Sequence, residues 1–164
     1  MSEKFTGTRA VSPQHAFDSG RLADWLRAHV EGFAGDLTVE QFKGGQSNPT
    51  FLLSAGNKKY VMRRKPPGKL LPSAHAVDRE YRVITALAKT DVPVARSYAL
   101  CEDDAVIGTA FYVMDYVAGR ILWDPALPGL QPSERTALFT EMNRVIAAPH
   151  SADDAAVGLA DYGP

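Results

Sequence analysis

Only one cysteine, Cys101, occurs in 164 residues. That excludes an intramolecular disulfide, a thiolate zinc cluster and a CxxC redox pair, and it leads us to expect a cytoplasmic chain. No stretch approaches the roughly 20 consecutive apolar residues that a spanning helix needs, and Met1 to Gln14 lacks the apolar core of a signal peptide. An excess of either charge is missing too: 18 Lys and Arg against 19 Asp and Glu leave a formal net charge of −1. With no basic stripe interleaved with aromatics, nothing electrostatic favours nucleic acid or an anionic membrane as a partner. Repeats and low-complexity tracts are absent, and 45% hydrophobic with 23% charged residues is the make-up of a globular domain with a real core.

What is present is organised around Leu37 to Arg64. Leu37–Phe42, Phe51–Ala55 and Tyr60–Arg64 have the β-branched and aromatic character of strands. Between the first two lies Lys43-Gly44-Gly45-Gln46-Ser47-Asn48-Pro49-Thr50, too rich in turn formers for strand or helix. Paired glycines let a backbone approach a bound group, Ser47 and Asn48 add polar donors, and successive N–H groups in such a turn can cradle an anion. Along the third strand the period of two sets Val61 and Arg63 on one face and Tyr60, Met62 and Arg64 on the other. Arg64 is therefore read as a solvated or peripheral charge.

Before the meander, residues 1 to 17 read as a loose lead-in. Leu22, Trp25, Leu26 and Val30 then recur at helical spacing after a cap at Asp18 or Ser19. After the stiff Lys65-Pro66-Pro67-Gly68-Lys69 connector a helix is expected from near Ser73. At about 100° per residue, Ala76, Val77, Val83, Ile84 and Leu87 fall within about 60° of Glu80, which puts a carboxylate at the centre of an apolar stripe. Such a group needs a cation, and Arg63 is the nearest strand candidate. Removing the cation would then strand the carboxylate, so Glu80→Leu is expected to be better tolerated than Arg63→Leu. Val92–Leu100 reads as a strand, Glu102-Asp103-Asp104 as an exposed turn, and Ala110–Met114 as the most apolar strand, running into Asp115-Tyr116-Val117-Ala118-Gly119, a joint between two lobes. Ser133 is expected to cap a helix with apolar face Leu138, Met142, Val145 and Ile146, ended by Pro149 at about Ala148.

This order of parts resembles the aminoglycoside phosphotransferase and choline kinase family, and in particular the branch similar to kinase domains associated with acyl-CoA dehydrogenases. The likeness is carried by F-K-G-G-Q-S-N-P-T-F at Phe42–Phe51, Y-V-M-R-R-K-P-P at Tyr60–Pro67, R-E-Y-R-V-I at Arg79–Ile84, V-P-V at Val92–Val94 and F-Y-V-M-D-Y-V-A-G at Phe111–Gly119. The fold it implies is α+β: a protein-kinase-like N-terminal lobe, an antiparallel sheet of about five strands with one packed helix. An N-terminal lead-in and helix (residues 1–36) would precede this lobe (37–117), and the hinge exit and start of an incomplete C-terminal lobe (118–164) would follow. The resemblance also implies ATP and Mg2+ as cofactors and a small-molecule hydroxyl as phosphoryl acceptor. Gly44, Gly45, Ser47 and Asn48 would cover the phosphates, Arg63 would hold them and Glu80 would hold Arg63. Met114 would back the adenine pocket, with backbone groups of Asp115 and Val117 on the purine edge.

One part of the family pattern has no counterpart. The catalytic loop H-G-D-x-x-x-x-N does not occur; the nearest string, His150-Ser151-Ala152-Asp153, is followed by no asparagine, the asparagines being Asn48, Asn57 and Asn143. By this resemblance no catalytic residue and no metal ligand belongs to the chain, the magnesium ligands are expected in the rest of the C-terminal lobe, and phosphoryl transfer has no mechanism in these residues alone. The competing reading is a non-catalytic module that binds nucleotide or a partner, with self-association through the apolar surface such a lobe would expose.

Overall fold

The computed structural model describes residues 6–44, 47–68, 75–122 and 124–162. The meander forms as its sequence pattern predicts: β2 (Leu37–Phe42), β3 (Thr50–Ala55) and β4 (Lys58–Arg64) pair antiparallel, with Val39 opposite Leu53 and Leu52 opposite Val61. Its second turn passes close to the connector before β2. A Cβ on Gly35 (φ +92°) would lie 2.8 Å from the Gly56 nitrogen, so only glycine fits there.

Two further strands, β5 (Ser97–Cys101) and β6 (Phe111–Asp115), join with β6 inserted against β4. The strand β1 (Thr8–Arg9) pairs with the outer edge of β2 and makes the sheet six-stranded, in the order β1-β2-β3-β4-β6-β5. From Thr8 to Phe17 the lead-in is thus not loose. Thr8 Oγ1 donates to Glu40, the Ser12 N–H and hydroxyl both donate to buried Gln41, and the Phe17 ring meets Phe51 edge-on at 5.3 Å.

Helices lie on both faces of the sheet. Helix α1 (Ser19–His29), capped by Asp18 through the Gly20 and Arg21 N–H groups, lays Leu22 and Leu26 against Phe51, Leu53, Tyr60, Met62, Phe111 and Val113. This is the main core, and each fully buried leucine contributes about 1.5–3 kcal/mol. Helix α2 (Val77–Leu87) lies on the opposite face over a small cluster of Val77, Ala110 and Tyr112. It begins later than Ser73, a position outside the described residues, because His75 sits at φ 57° and cannot continue a right-handed helix.

Other local expectations are corrected. Val92–Arg96 forms no strand: Pro93 withholds a ladder donor, and pairing begins at Ser97. Asp103 is no mere turn residue but the cap of a short helix α3 (Asp104–Ile107), accepting from Ala105 N–H. Helix α4 (Pro132–His150) is capped not by Ser133 but by Gln131 and Glu134, with Pro132 in the first turn where its missing N–H costs nothing. The helix also runs one residue past Pro149; in the final turn proline removes a single bond, and the His150 ring reaches back to the Ile146 carbonyl at 2.7 Å. No residue of α4 is buried, and Phe139, Met142 and Ile146 stand about half exposed.

Arg64 departs furthest from its expectation. It is 2% exposed, with its guanidinium over the Phe17 ring at 5.3 Å and bonds to the His15 and Lys65 carbonyls. The face it shares with Tyr60 and Met62 is the one that α1 and the lead-in cover, so an outer position was never open to it.

Candidate functional site

The front face of the sheet is only partly covered by α2, and the uncovered part is a cleft of about 590 Å³. Residues opposite one another across the ladder share this face: Thr50 with Arg63, Leu52 with Val61, Val61 with Met114 and Arg63 with Tyr112. Leu52 and Val61 make an apolar floor, Tyr116 and Ile121 a wall, and Gly7, Thr8, Phe42 and Gly44 a rim. Arg63 supplies the cation. A cleft of a few hundred cubic ångströms with a mainly apolar body and one charged end is suited to a small ligand whose anionic part lies at that end.

Arg63 is held in place by Glu80. Its Nε donates to Oε2 at 2.9 Å and its Nη2 to Oε1 at 3.2 Å, a two-pronged contact that uses one edge of the guanidinium and leaves the other for a second anion. Glu80 is itself fixed: the Asn48 amide donates to Oε1 at 2.9 Å and the Tyr112 hydroxyl to Oε2 at 3.1 Å. Behind Asn48, its Oδ1 lies 2.8 Å from His75 Nδ1. The pair is not sealed in the core, since the two side chains are 30% and 34% exposed and Arg63 lines the cleft.

The expected site residues divide as follows. Arg63 and Glu80 come together, and Gly44 lines the cleft rim. Gly45 lies outside the described residues, and Ser47 is exposed. Asn48 is buried, at 4% exposure, and its side chain braces the pair, with Nδ2 donating to Glu80 and Oδ1 facing His75 Nδ1. Met114 is half-buried beside Val61 and borders a second cavity, of about 500 Å³, with Arg63, Glu80, Ile84 and Tyr112. The Asp115 N–H is used by the Arg96 carbonyl at 2.8 Å, which leaves its carbonyl as the backbone group available to a ligand, and Val117 is exposed. Tyr112 and His75 went unnoticed in the sequence. Tyr112 was within reach, two positions before Met114 on one strand face; His75 was not, because it meets Asn48 only through a turn at positive φ.

Residues 38–164 match the family described as "Phosphotransferase enzyme family", APH. The chain belongs to the phosphotransferase enzyme family. Over 160 residues, 95% of its length, this phosphotransferase domain is 46% identical to "Acyl-CoA dehydrogenase family member 11" of Rattus norvegicus. The corresponding protein of Gallus gallus is 48% identical over 161 residues. The domain spans about a fifth of the length of these curated relatives, 20% and 21%. A crystal structure from Ralstonia eutropha JMP134, provisionally named an aminoglycoside phosphotransferase, is 60% identical and superposes with a TM-score of 0.80, covering 91% of this chain and 43% of that one.

Tyrosines, Tyr98 and Tyr112 foremost, tie the phosphotransferase domain's stability to alkaline pH. The bond that Tyr98 gives to the Asp115 carboxylate, with burial, pushes its phenol up to about 12. Burial and the nearby Glu80 carboxylate push Tyr112 up as well. Folded values above the unfolded one of about 10 mean that the stabilisation is complete below pH 10 and lost as pH rises through the folded values. The urea midpoint is expected to hold up to pH 10 and then fall, and Tyr98→Phe should flatten the part of that fall near pH 12. An equally steep decline in the variant would rule Tyr98 out as its source.

Proposed function

We propose that the chain holds ATP for transfer of its γ-phosphate to the hydroxyl of a small molecule. One observation carries this reading: an arginine, fixed by a glutamate, stands in an apolar cleft whose rim includes Gly44. In phosphoryl transfer most of the catalysis is positioning and charge neutralisation, and these are what Arg63 and Glu80 provide. Gly44, with Gly45 and Ser47, would cover the phosphates through backbone and hydroxyl donors. Leu52, Val61 and Met114 would flank the base, with the Asp115 carbonyl and the Val117 N–H on its edge. The family and the names of the acyl-CoA dehydrogenase relatives favour an acceptor hydroxyl on an acyl-CoA-derived molecule over an aminoglycoside or a choline-like amine.

Magnesium is implied by the same chemistry, but the described residues do not fit it: they contain no group of three or more His, Cys, Asp or Glu able to hold a metal. Asp103 is spent on a helix cap, Asp115 on Tyr98 and Asp161 on Arg82. No step is assigned to the metal, and no general base to these 164 residues. The expected result is binding of Mg-ATP without turnover. Amide exchange should slow at Gly44, Thr50 and Val117 when Mg-ATP is added; unchanged exchange at all three would overturn the reading. A partner-binding module is the second reading, favoured by the open apolar face of α4 at Phe139, Met142 and Ile146. Concentration-dependent self-association with no nucleotide effect would select it.

A further inference from the structure

Helix α2 carries Glu80, yet apolar contact anchors it lightly. Of its eleven residues only Val77 and Ala86 are buried, with Tyr81 and Ile84 packed half-buried against the small cluster, whereas α1, also of eleven, buries Leu22, Ala23 and Leu26, the two leucines in the main core, and adds Trp25. The setting of α2 on the sheet is therefore left largely to polar contacts. On the sheet side these are the bonds of Glu80 with Arg63, Asn48 and Tyr112, the Thr85–Ser97 hydroxyl contact at 2.7 Å and the Asp78–Lys65 ion pair at 3.8 Å.

Arg82 is two residues further on, about 200° round the helix, and faces away from the sheet. There it meets the segment 151–162 that follows α4. Both Nη groups of Arg82 engage the two carboxylate oxygens of Asp161 side by side, and Nη2 also donates to the Gly158 carbonyl at 2.9 Å. The Tyr162 ring lies beneath, its centroid 5.4 Å from the Arg79 guanidinium and 6.0 Å from that of Arg82. Tyr162 also borders the cavity lined by Arg63, Glu80 and Met114, so the segment reaches from the outer side of α2 to the neighbourhood of the pair. It is internally braced: Leu159 is buried and donates its N–H to the Asp154 carbonyl at 2.7 Å, and Tyr162 N–H donates to Leu159 at 2.8 Å.

With side chains 45% and 73% exposed, the Arg82–Asp161 pair adds little to global stability. Its two-pronged geometry nevertheless fixes direction, and on a helix with so small an apolar footprint direction is what remains to be fixed. We propose that residues 151–162 form a strap that sets α2, and that Arg82 and Asp161 are positioning residues for the Arg63–Glu80 pair. The functional consequence rests on the reading of that pair as the phosphate holder. With the strap engaged, Glu80 stays over β4; with it released, α2 drifts outward and Arg63 loses its orientation. Linkage makes the effect reciprocal, so a nucleotide drawn to Arg63 tightens the strap.

The test uses the intact chain, with amide exchange measured first without nucleotide and then during a Mg-ATP titration. Asp161→Asn keeps the shape and removes the charge. Exchange across Val77–Leu87 should quicken about tenfold while α1 is unchanged, and Mg-ATP should bind about fivefold more weakly. The reversed pair, Arg82→Asp with Asp161→Arg, should restore both. Unaltered α2 exchange in Asp161→Asn overturns the strap, and so does quickening shared equally by α1, which marks a general loss of stability. A wild-type chain that ignores Mg-ATP would overturn the nucleotide reading instead, and α2 exchange would still decide the strap.

Discussion

Arg63→Ala is expected to weaken Mg-ATP binding about 10- to 100-fold while the chain stays folded, which calorimetric titration beside a urea melt will show. The size follows from losing one charge-assisted bond to phosphate, about 1.5–3 kcal/mol, where 1.4 kcal/mol is tenfold in affinity. The fold survives because Arg63 is 30% exposed on the open face and the core lies on the other. Nor does its loss strand Glu80, which keeps the Asn48 amide and the Tyr112 hydroxyl and is itself 34% exposed. This reverses the order of tolerance expected from the helical stripe alone. Glu80→Leu strips partners from Asn48, which is 4% exposed, and from Tyr112, which is 1% exposed, as well as from Arg63. It should cost about 1–2 kcal/mol more than Arg63→Leu, since buried donors left unpaired are the expensive ones. An Arg63→Ala chain that binds Mg-ATP as the wild type does would remove Arg63 from the site.

How far the site was legible depends on the range over which each residue's role is decided. The Arg63–Glu80 pair could be read because a period of two fixes one side chain and about 100° per residue fixes the other, and both rules are local. The meander, α1 and the apolar β6 followed for the same reason. Other roles are decided by distant residues. Thr8 and Arg9 make a strand only because the edge of β2 is free to pair with them, and two residues hold no periodicity to detect. The bracing role of Asn48 was out of reach, since nothing within the loop reveals that its amide meets Glu80 and His75. The bounds of α4 were set by chemistry that the pattern did include, with Gln131 and Glu134 three residues apart around Pro132, but a serine following that proline drew the cap assignment instead.

Arg64→Ala, one position along, should have the opposite phenotype: a loss of about 3 kcal/mol in unfolding free energy with Mg-ATP affinity unchanged. Strand alternation puts its side chain on the face away from the cleft, beneath Phe17 and Phe51. Truncation there removes the packed stem, empties the space under two rings and leaves the His15 and Lys65 carbonyls without the guanidinium. The contacts at 3.3 and 3.4 Å are long, so much of the effect should come from packing rather than from hydrogen bonding. Arg64→Met separates the two contributions: it keeps most of the apolar stem and should recover more than half of the loss. Burial already holds the guanidinium below its usual pKa, in keeping with a group that is costly to charge where it sits. A urea melt of Arg64→Ala within about 0.5 kcal/mol of wild type would return Arg64 to the solvated position that strand alternation first suggested. If the melt shifts as expected and affinity does not, two adjacent arginines on one strand divide between them the holding of the fold and the holding of the ligand.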